Sequence, residues 1–142
     1  MPILTINLQR DAYDQAQLDR LLIGASALYA SALDSPVERV RVLLNLFDAG
    51  AMAVGGKLVS QGGPQAPFFE AILLRGRPAE QKERLMQGVT DLIEDVLRVE
   101  RKHIRGVCWS VPPEDWCIAG TPASVKRSQE IEARQKIAAD SG

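Results

Sequence analysis

The feature that most constrains the fold of this chain is an internal repeat with an offset of 64 residues (105 − 41). The matched segments are QLDRL at 17–21 with QKERL at 81–85, Arg41 with Arg105, Met52 with Trp116, and Val54-Gly55-Gly56 with Ile118-Ala119-Gly120. Self-similarity at a fixed spacing indicates that one structural unit is used more than once. The sequence therefore predicts two fused copies of a unit of about 60 residues.

Both copies show the same order of hydrophobic patterns. An alternating segment predicts a strand, a stretch of 3.6-residue periodicity predicts a helix, and a β-rich run predicts a second strand. The predicted elements are a strand from Pro2 to Leu8, a helix from about Asp14 to Leu33 and a strand over Arg39–Leu46, then a strand from Phe68 to Leu74, a helix starting near Pro78 and a strand from about His103 to Trp109.

A crossover helix makes the two strands of each unit parallel, with a right-handed connection. The predicted fold class is α/β (α+β): two β-α-β units form one four-stranded sheet with two helices on one face. Residues 1–121 are predicted to be a single domain, with repeats at about 2–60 and 67–121 and a turn-rich linker at 60–65. Because the second sheet face is uncovered, self-association is expected. The polar tail, residues 122–142, is expected to pack on a neighbouring subunit or stay mobile.

The composition argues against several classes of function. Lysine plus arginine number 17 and aspartate plus glutamate 18, so the basic excess that nucleic-acid or membrane-surface binding needs is missing. Neither a membrane span nor a signal peptide is visible, and a cytoplasmic protein is expected. The cysteines, Cys108 and Cys117, are expected to be reduced there. They lack the spacing of a zinc site, and His103 is the single histidine, so we expect no metal or other cofactor.

The second residue offers a chemical possibility. A small residue after Met1 favours removal of the initiator methionine, which would leave Pro2 as a free secondary amine at a strand start. Ordinary α-amino groups titrate at about 7.7–8.0. Burial and nearby arginines would lower the pKa of such an amine and make it a general base near neutral pH.

Several segments resemble the tautomerase superfamily, whose members use an amino-terminal proline. These segments are Pro2-Ile3, Pro36 to Val42, Ala53 to Gly56, Arg75 to Lys82, and Glu114 to Gly120. The resemblance covers about residues 2–121 and implies a fused, two-unit member that forms a homotrimer. It implies a cofactor-independent keto–enol tautomerase that acts on a small 2-oxo or enol carboxylate.

The resemblance also implies roles for individual residues. Pro2 would be the base, Arg75 and Arg77 would bind and polarise the substrate, and Trp116 would form part of the pocket wall. Arg41 and Arg105 both match a further family arginine, and either one is a candidate for the pocket. Pro67 matches Pro2 to within one residue of the repeat offset (67 − 2 = 65), but its nitrogen is an amide inside the chain and cannot act as a base.

Three other hypotheses about the function remain open. A cis-3-chloroacrylic acid dehalogenase would need a glutamate where Ile118 stands, a tyrosine where Val107 stands and a histidine where Tyr29 stands. A malonate semialdehyde decarboxylase would use an acidic partner of the proline, for which Glu38 is the candidate. The third reading is a trimeric binding protein without activity that retains the proline.

Overall fold

The computed structural model describes residues 2–142, and the predicted removal of Met1 lies outside the described residues. The strands and helices are β1 (Ile3–Gln9), α1 (Gln15–Leu33), β2 (Arg41–Phe47), β3 (Ala53–Val54), β4 (Lys57–Leu58), β5 (Phe68–Leu74), α2 (Ala79–Leu97), β6 (Arg105–Val111), β7 (Cys117–Ile118), β8 (Thr121–Pro122), α3 (Ala123–Lys126) and α4 (Ser128–Asp140). Across these residues, no helix has both the length and the apolar character needed to cross a membrane.

The main sheet has four strands in the order β2-β1-β5-β6. Strand β1 runs parallel to β2, and β5 runs parallel to β6. The two units meet through antiparallel pairing of β1 with β5, which sets Ile3 opposite Ile72. This arrangement confirms the predicted fold class, with two β-α-β units in one sheet.

The repeat is visible in the structure as well as in the sequence. Helices α1 and α2 begin and end 64 residues apart (79 − 15 and 97 − 33), and so do β2 and β6 (105 − 41). The hairpin of β3 and β4 turns at Gly55 and Gly56, and that of β7 and β8 turns at Ala119 and Gly120, all four with positive φ. Such two-residue turns suit antiparallel hairpins, which explains why small residues recur at these positions.

Both crossover helices pack on one face of the sheet and enclose the core. Alternate residues of β1, namely Leu4, Ile6 and Leu8, are almost fully buried, because a strand directs successive side chains to opposite faces. The helices approach each other closely at two glycines that are themselves 64 residues apart. Gly24 faces Leu92, and Gly88 faces Leu28, where an added Cβ would lie 2.6 Å from a Leu28 methyl carbon.

The opposite sheet face remains open in the single chain. Large apolar side chains on it are exposed, among them Leu43, Phe47, Phe68 and Trp109. The C-terminal segment does not cover this face. Helix α4 instead lies at the edge of the sheet where β1 begins, and its Glu130 contacts Arg39.

Candidate active site

Three chain segments meet at the edge of the sheet where β1 begins. Parallel pairing places the start of β2 beside the start of β1, and the Arg41 backbone N–H donates to the Pro2 carbonyl at 3.0 Å. Antiparallel pairing brings the end of β5 to the same edge, so Leu73 and Leu74 also lie there. Pro2 is less than 2 % exposed at the centre of this junction. The sheet topology therefore surrounds the second residue with three strand ends.

A small cavity lies against Pro2. Its volume is about 10 Å³, and its walls combine apolar strand and helix residues with five charged side chains. The lining residues are Pro2, Leu33, Ser35, Arg39, Leu73, Leu74, Arg77, Arg127, Glu130 and Arg134. Four of these are arginines and one is a glutamate, so the cavity carries an excess of positive charge.

Arg77 reaches the cavity from the turn that follows β5. Gly76 precedes it with φ of 104°, a conformation that glycine adopts without strain. The Nη1 of Arg77 donates to the Leu33 carbonyl and, at 3.4 Å, to the Gln81 side chain. Within residues 2–142, its Nε is buried without a hydrogen-bond partner. Burial, and secondarily Arg134, lower the pKa of Arg77 to about 10, so the guanidinium stays charged at neutral pH.

Arg39 lines the cavity together with Glu130 of α4. The two side chains make a bidentate pair, with Nη1 to Oε2 and Nη2 to Oε1 both at 2.9 Å. The hydrogen bonds from Arg39 hold the pKa of the Glu130 carboxyl below its usual value. Arg39 lies at the end of the 3₁₀ turn Val37–Arg39, between α1 and β2. The cavity therefore contains an arginine–carboxylate pair beside the proline.

Comparison with known proteins decides the family. A family model described as tautomerase enzyme matches residues 2–62 and again 67–126. The chain belongs to the tautomerase family. The two matched segments are the two structural units, and the resemblance inferred from the sequence is confirmed.

The relatives show both the single-unit and the fused forms of this family. The 2-hydroxymuconate tautomerase of Comamonas testosteroni is 33 % identical over 57 residues, which is 40 % of this chain and 90 % of that protein. A native fused 4-OT structure superimposes with a TM-score of 0.81 at 28 % identity, covering 87 % of this chain and 97 % of the other. A fused 4-OT solved as an asymmetric trimer gives a TM-score of 0.80 at 27 % identity, covering 87 % and 98 %.

A member of the cis-3-chloroacrylic acid dehalogenase family also shares the fold. Its TM-score is 0.74 at 21 % identity, and the match covers 94 % of this chain and 99 % of the other. At that identity the likeness concerns the fold alone. The fold is thus shared with a member of a dehalogenase family, so the activity of this chain has to be argued from its site.

Of the residues suggested by the sequence, the structure brings Pro2 and Arg77 together in the cavity. Arg75 is exposed at the end of β5, and its backbone N–H donates to the Val111 carbonyl at 2.8 Å. Arg41 and Arg105 begin the two edge strands and are also exposed. The Arg105 side chain donates to the Lys102 carbonyl at 2.8 Å.

The remaining candidates also lie outside the cavity of the single chain. Tyr29 is a core residue whose hydroxyl donates to the Ile72 carbonyl at 2.8 Å, and burial raises its pKa. Glu38 is exposed on the 3₁₀ turn, and Ile118 lies half-buried in β7. Trp116 lines a separate surface cavity of about 210 Å³. Its indole Nε1 is buried and, among the described residues, has no hydrogen-bond partner.

Sequence reasoning missed four charged residues of the cavity: Arg39, Arg127, Glu130 and Arg134. Arg39 belongs to a segment that resembles the family, but it lies outside the motif positions used there. The other three belong to the C-terminal tail, which has no counterpart in the first unit. A polar helix without a buried face carries no hydrophobic pattern that indicates where it packs, so only the structure could place it.

Proposed function

We propose that this protein is a cofactor-independent keto–enol tautomerase acting on a small 2-oxo or enol carboxylate. Removal of Met1 would give Pro2 a free secondary amine, which serves as the general base. The observation that carries the proposal is the burial of Pro2 in a cavity whose charged walls are mainly arginine. Nearby guanidinium groups favour the uncharged form of an amine, which is the form that accepts a proton.

The proposed reaction moves one proton and leaves the substrate composition unchanged. The Pro2 nitrogen takes a proton from the carbon or hydroxyl that loses it, and the resulting ammonium returns a proton to the other end of the dienol or enol system. Arg77 binds the substrate carboxylate or the developing enolate oxygen. Its unpaired buried Nε–H supports this role, because a buried donor without an acceptor costs about 1–3 kcal/mol until a ligand satisfies it.

A homotrimer is part of the proposal. The open sheet face exposes the large apolar side chains of Leu43, Phe47, Phe68 and Trp109, and burying them favours association. Fused 4-OT relatives have been solved as trimers. In such an assembly Arg41, Arg105 and Trp116, which lie outside the cavity of the single chain, would be available to a neighbouring subunit's site. We also propose a cytoplasmic location, as the sequence predicts.

The test is an activity panel followed by ultraviolet absorbance with phenylenolpyruvate and 2-hydroxymuconate. We expect turnover by the wild-type protein and loss of most activity in Pro2→Ala. Intact mass of the same preparation should show that Met1 is absent. Unchanged rates in Pro2→Ala, or a wild type inactive on every enol acid tested, would refute the proposal, and the latter result would favour a binding protein without activity.

Glu130 favours one second candidate, a decarboxylase or hydratase that pairs the proline with an acid. Malonate semialdehyde decarboxylation and cis-3-haloacrylate hydration both fit a carboxylate beside the proline, and Glu130 lines that cavity whereas Glu38 does not. Carbon dioxide release from malonate semialdehyde, or halide release from a cis-3-haloacrylate, without tautomerase activity would establish this alternative. The bidentate pairing of Glu130 with Arg39 argues against it, because a carboxylate with a lowered pKa is a weak base.

A further inference from the structure

The cavity beside Pro2 is too small for the substrate that the proposed function requires. Its volume of about 10 Å³ accommodates no more than about one water molecule. A 2-oxo carboxylate has several more heavy atoms than water, so the cavity has to widen for it to reach Pro2. An adjoining cavity of about 520 Å³ shares Arg77 and Arg134, and α4 borders both cavities.

Helix α4 is the wall that can move at the lowest cost. Apart from Arg127, which directly precedes α4, the other lining residues belong to the sheet edge, to the end of α1 or to the segments beside them, where Pro2, Leu33 and Leu73 are almost fully buried. Helix α4 has no buried residue at all. Segments with few buried apolar contacts open with the smallest free energy. Displacing α4 would therefore enlarge the cavity without disturbing the core.

Glu130 pairs with Arg39 in the way that a free carboxylate would. Arg39 donates two parallel hydrogen bonds of 2.9 Å to the Glu130 carboxylate, which is the geometry that arginine uses for free carboxylates. Arg127 and Arg134 add positive charge around the same carboxylate and favour its ionised form. The pair is only partly buried, with side chains 26 % and 39 % exposed, so a competing anion can reach it.

We propose that Arg39 binds the substrate carboxylate and that Glu130 occupies this site as an internal competitor in the free protein. Substrate then displaces Glu130 from Arg39 and moves α4 away from Pro2. The inference rests on the proposed function only in taking the substrate to be a carboxylate. It makes α4 a regulatory cover of the site and makes Arg39, rather than Arg75, the partner of Arg77.

Binding of succinate tests the competition without depending on turnover. Succinate is a small dicarboxylate without a keto group, so it can occupy a carboxylate site but cannot react. Its affinity can be measured by isothermal titration calorimetry. Glu130→Gln keeps the shape of the side chain and removes its charge, so we expect succinate to bind about two- to fivefold more tightly. The matched control is Glu132→Gln, a substitution of an exposed glutamate on the same helix, which should bind succinate like the wild type.

Arg39 is tested by its own pair of variants. Arg39→Gln should weaken succinate binding about tenfold or more, because a charge-assisted bidentate contact is lost. Arg101→Gln is the control, since Arg101 lies in the equivalent 3₁₀ turn of the second unit and pairs with the surface residue Asp91. Equal affinity in Arg39→Gln and wild type, or failure of succinate to bind any variant, would overturn the assignment.

Hydrogen exchange of residues 128–140 tests the displacement. Succinate should accelerate amide exchange in α4 of the wild type, because the contact that holds the helix is exchanged for one to the ligand. Slower exchange on binding would show that α4 closes over the ligand and would overturn the competition. The same conclusion would follow if Glu130→Gln lost kcat tenfold without tighter binding, because Glu130 would then act in the chemistry. These experiments measure binding and amide exchange, so they can be interpreted even if the activity panel shows no tautomerase activity. The two proposals can therefore fail independently.

Discussion

The two ends of the sheet have the same backbone and different side chains. At one end Pro2 precedes β1, and its carbonyl accepts the Arg41 N–H at 3.0 Å; at the other, Pro67 precedes β5, and its carbonyl accepts the Arg105 N–H at 3.1 Å. Both prolines are buried. The repeat thus reproduces the setting of the proline twice in one chain.

The side chains around the two prolines diverge completely. Counted from the helices, which are offset by 64 residues (79 − 15), Tyr13 stands where Arg77 does and His103 stands where Arg39 does. The Tyr13 hydroxyl donates to Gln65 at 3.2 Å, and the Gln65 amide donates in turn to Gln9. At this end a chain of hydrogen bonds through Tyr13, Gln65 and Gln9 stands where the first end has the Arg77 guanidinium. The repeat therefore determines where a site can form, whereas a few side chains and a free amine determine where chemistry can occur.

The largest effect should separate the two prolines. Pro2→Ala removes the cyclic secondary amine, and kcat/KM for phenylenolpyruvate should fall about 10²-fold or more, the usual contribution of a general base. Pro67→Ala should leave kcat/KM unchanged, because that nitrogen lies inside the chain. Equal losses in both variants would mean that the prolines act through the fold rather than through the amine, and circular dichroism of both would detect such a change.

The next effect should separate Arg77 from its counterpart Tyr13. Arg77→Gln removes a buried cation, and kcat/KM should fall about 10- to 100-fold, which corresponds to about 1.5–3 kcal/mol for a hydrogen bond to a charged group. Tyr13→Phe removes only the hydroxyl that contacts Gln65 and should retain wild-type kinetics. If Tyr13→Phe lost as much activity as Arg77→Gln, the second end would have to be part of the working site.

A stability effect should separate the two cores. The first unit pairs Leu4 with Val42 across its parallel strands, and the second pairs Phe69 with Gly106. A Cβ added at Gly106 would lie 2.1 Å from the Phe69 ring. Gly106→Val should therefore lower the free energy of unfolding by about 1–3 kcal/mol through overpacking.

The double variant Phe69→Leu/Gly106→Val transfers the Leu–Val pair of the first unit to the second. It should recover most of the lost stability in urea unfolding at a fixed protein concentration, because the large and small partners are exchanged together. Two results would show that the two cores are not packed equivalently. One is a Gly106→Val variant as stable as the wild type, and the other is a double variant with a lower free energy of unfolding than Gly106→Val.

The smallest effect concerns pH and the hydroxyl at the second end. Burial raises the pKa of Tyr13 to about 12, above the unfolded value of about 10. The folded state therefore holds this proton more tightly, and the stabilisation is complete below pH of about 10 and lost as pH rises toward 12. Because the ring is only half-buried, the effect should be about 1 kcal/mol. In thermal unfolding, wild type should lose stability over this range more steeply than Tyr13→Phe; parallel curves would contradict the assignment.

The fold was largely predictable because both units carry the same hydrophobic periods. The predicted strand over Phe68–Leu74 has the bounds of β5, and the predicted helix ending at Leu33 ends there in α1. The run starting at Arg39 was predicted as strand, but residues 37–39 form a 3₁₀ turn before β2. Alternation of apolar residues cannot distinguish such a turn from the strand that follows it.

The candidate site was predictable only in part. Pro2 and Arg77 lie at strand ends that the topology brings together, so a motif and a fold were sufficient to pair them. Glu130 is 91 residues from Arg39 in the sequence, and it sits on a helix that follows no repeat. A contact of that kind depends on how a polar helix docks, which neither spacing nor periodicity encodes.

Whether the free amine of Pro2 is the base is tested most directly by blocking its nitrogen while leaving every side chain in place. One extra residue that cannot be removed, placed ahead of Pro2, converts its nitrogen into an amide like that of Pro67. Intact mass verifies each preparation, and kcat/KM for phenylenolpyruvate compares the blocked protein with the processed one. We predict that the blocked protein folds but loses activity to the level of Pro2→Ala. Equal activity of the two preparations would contradict the account.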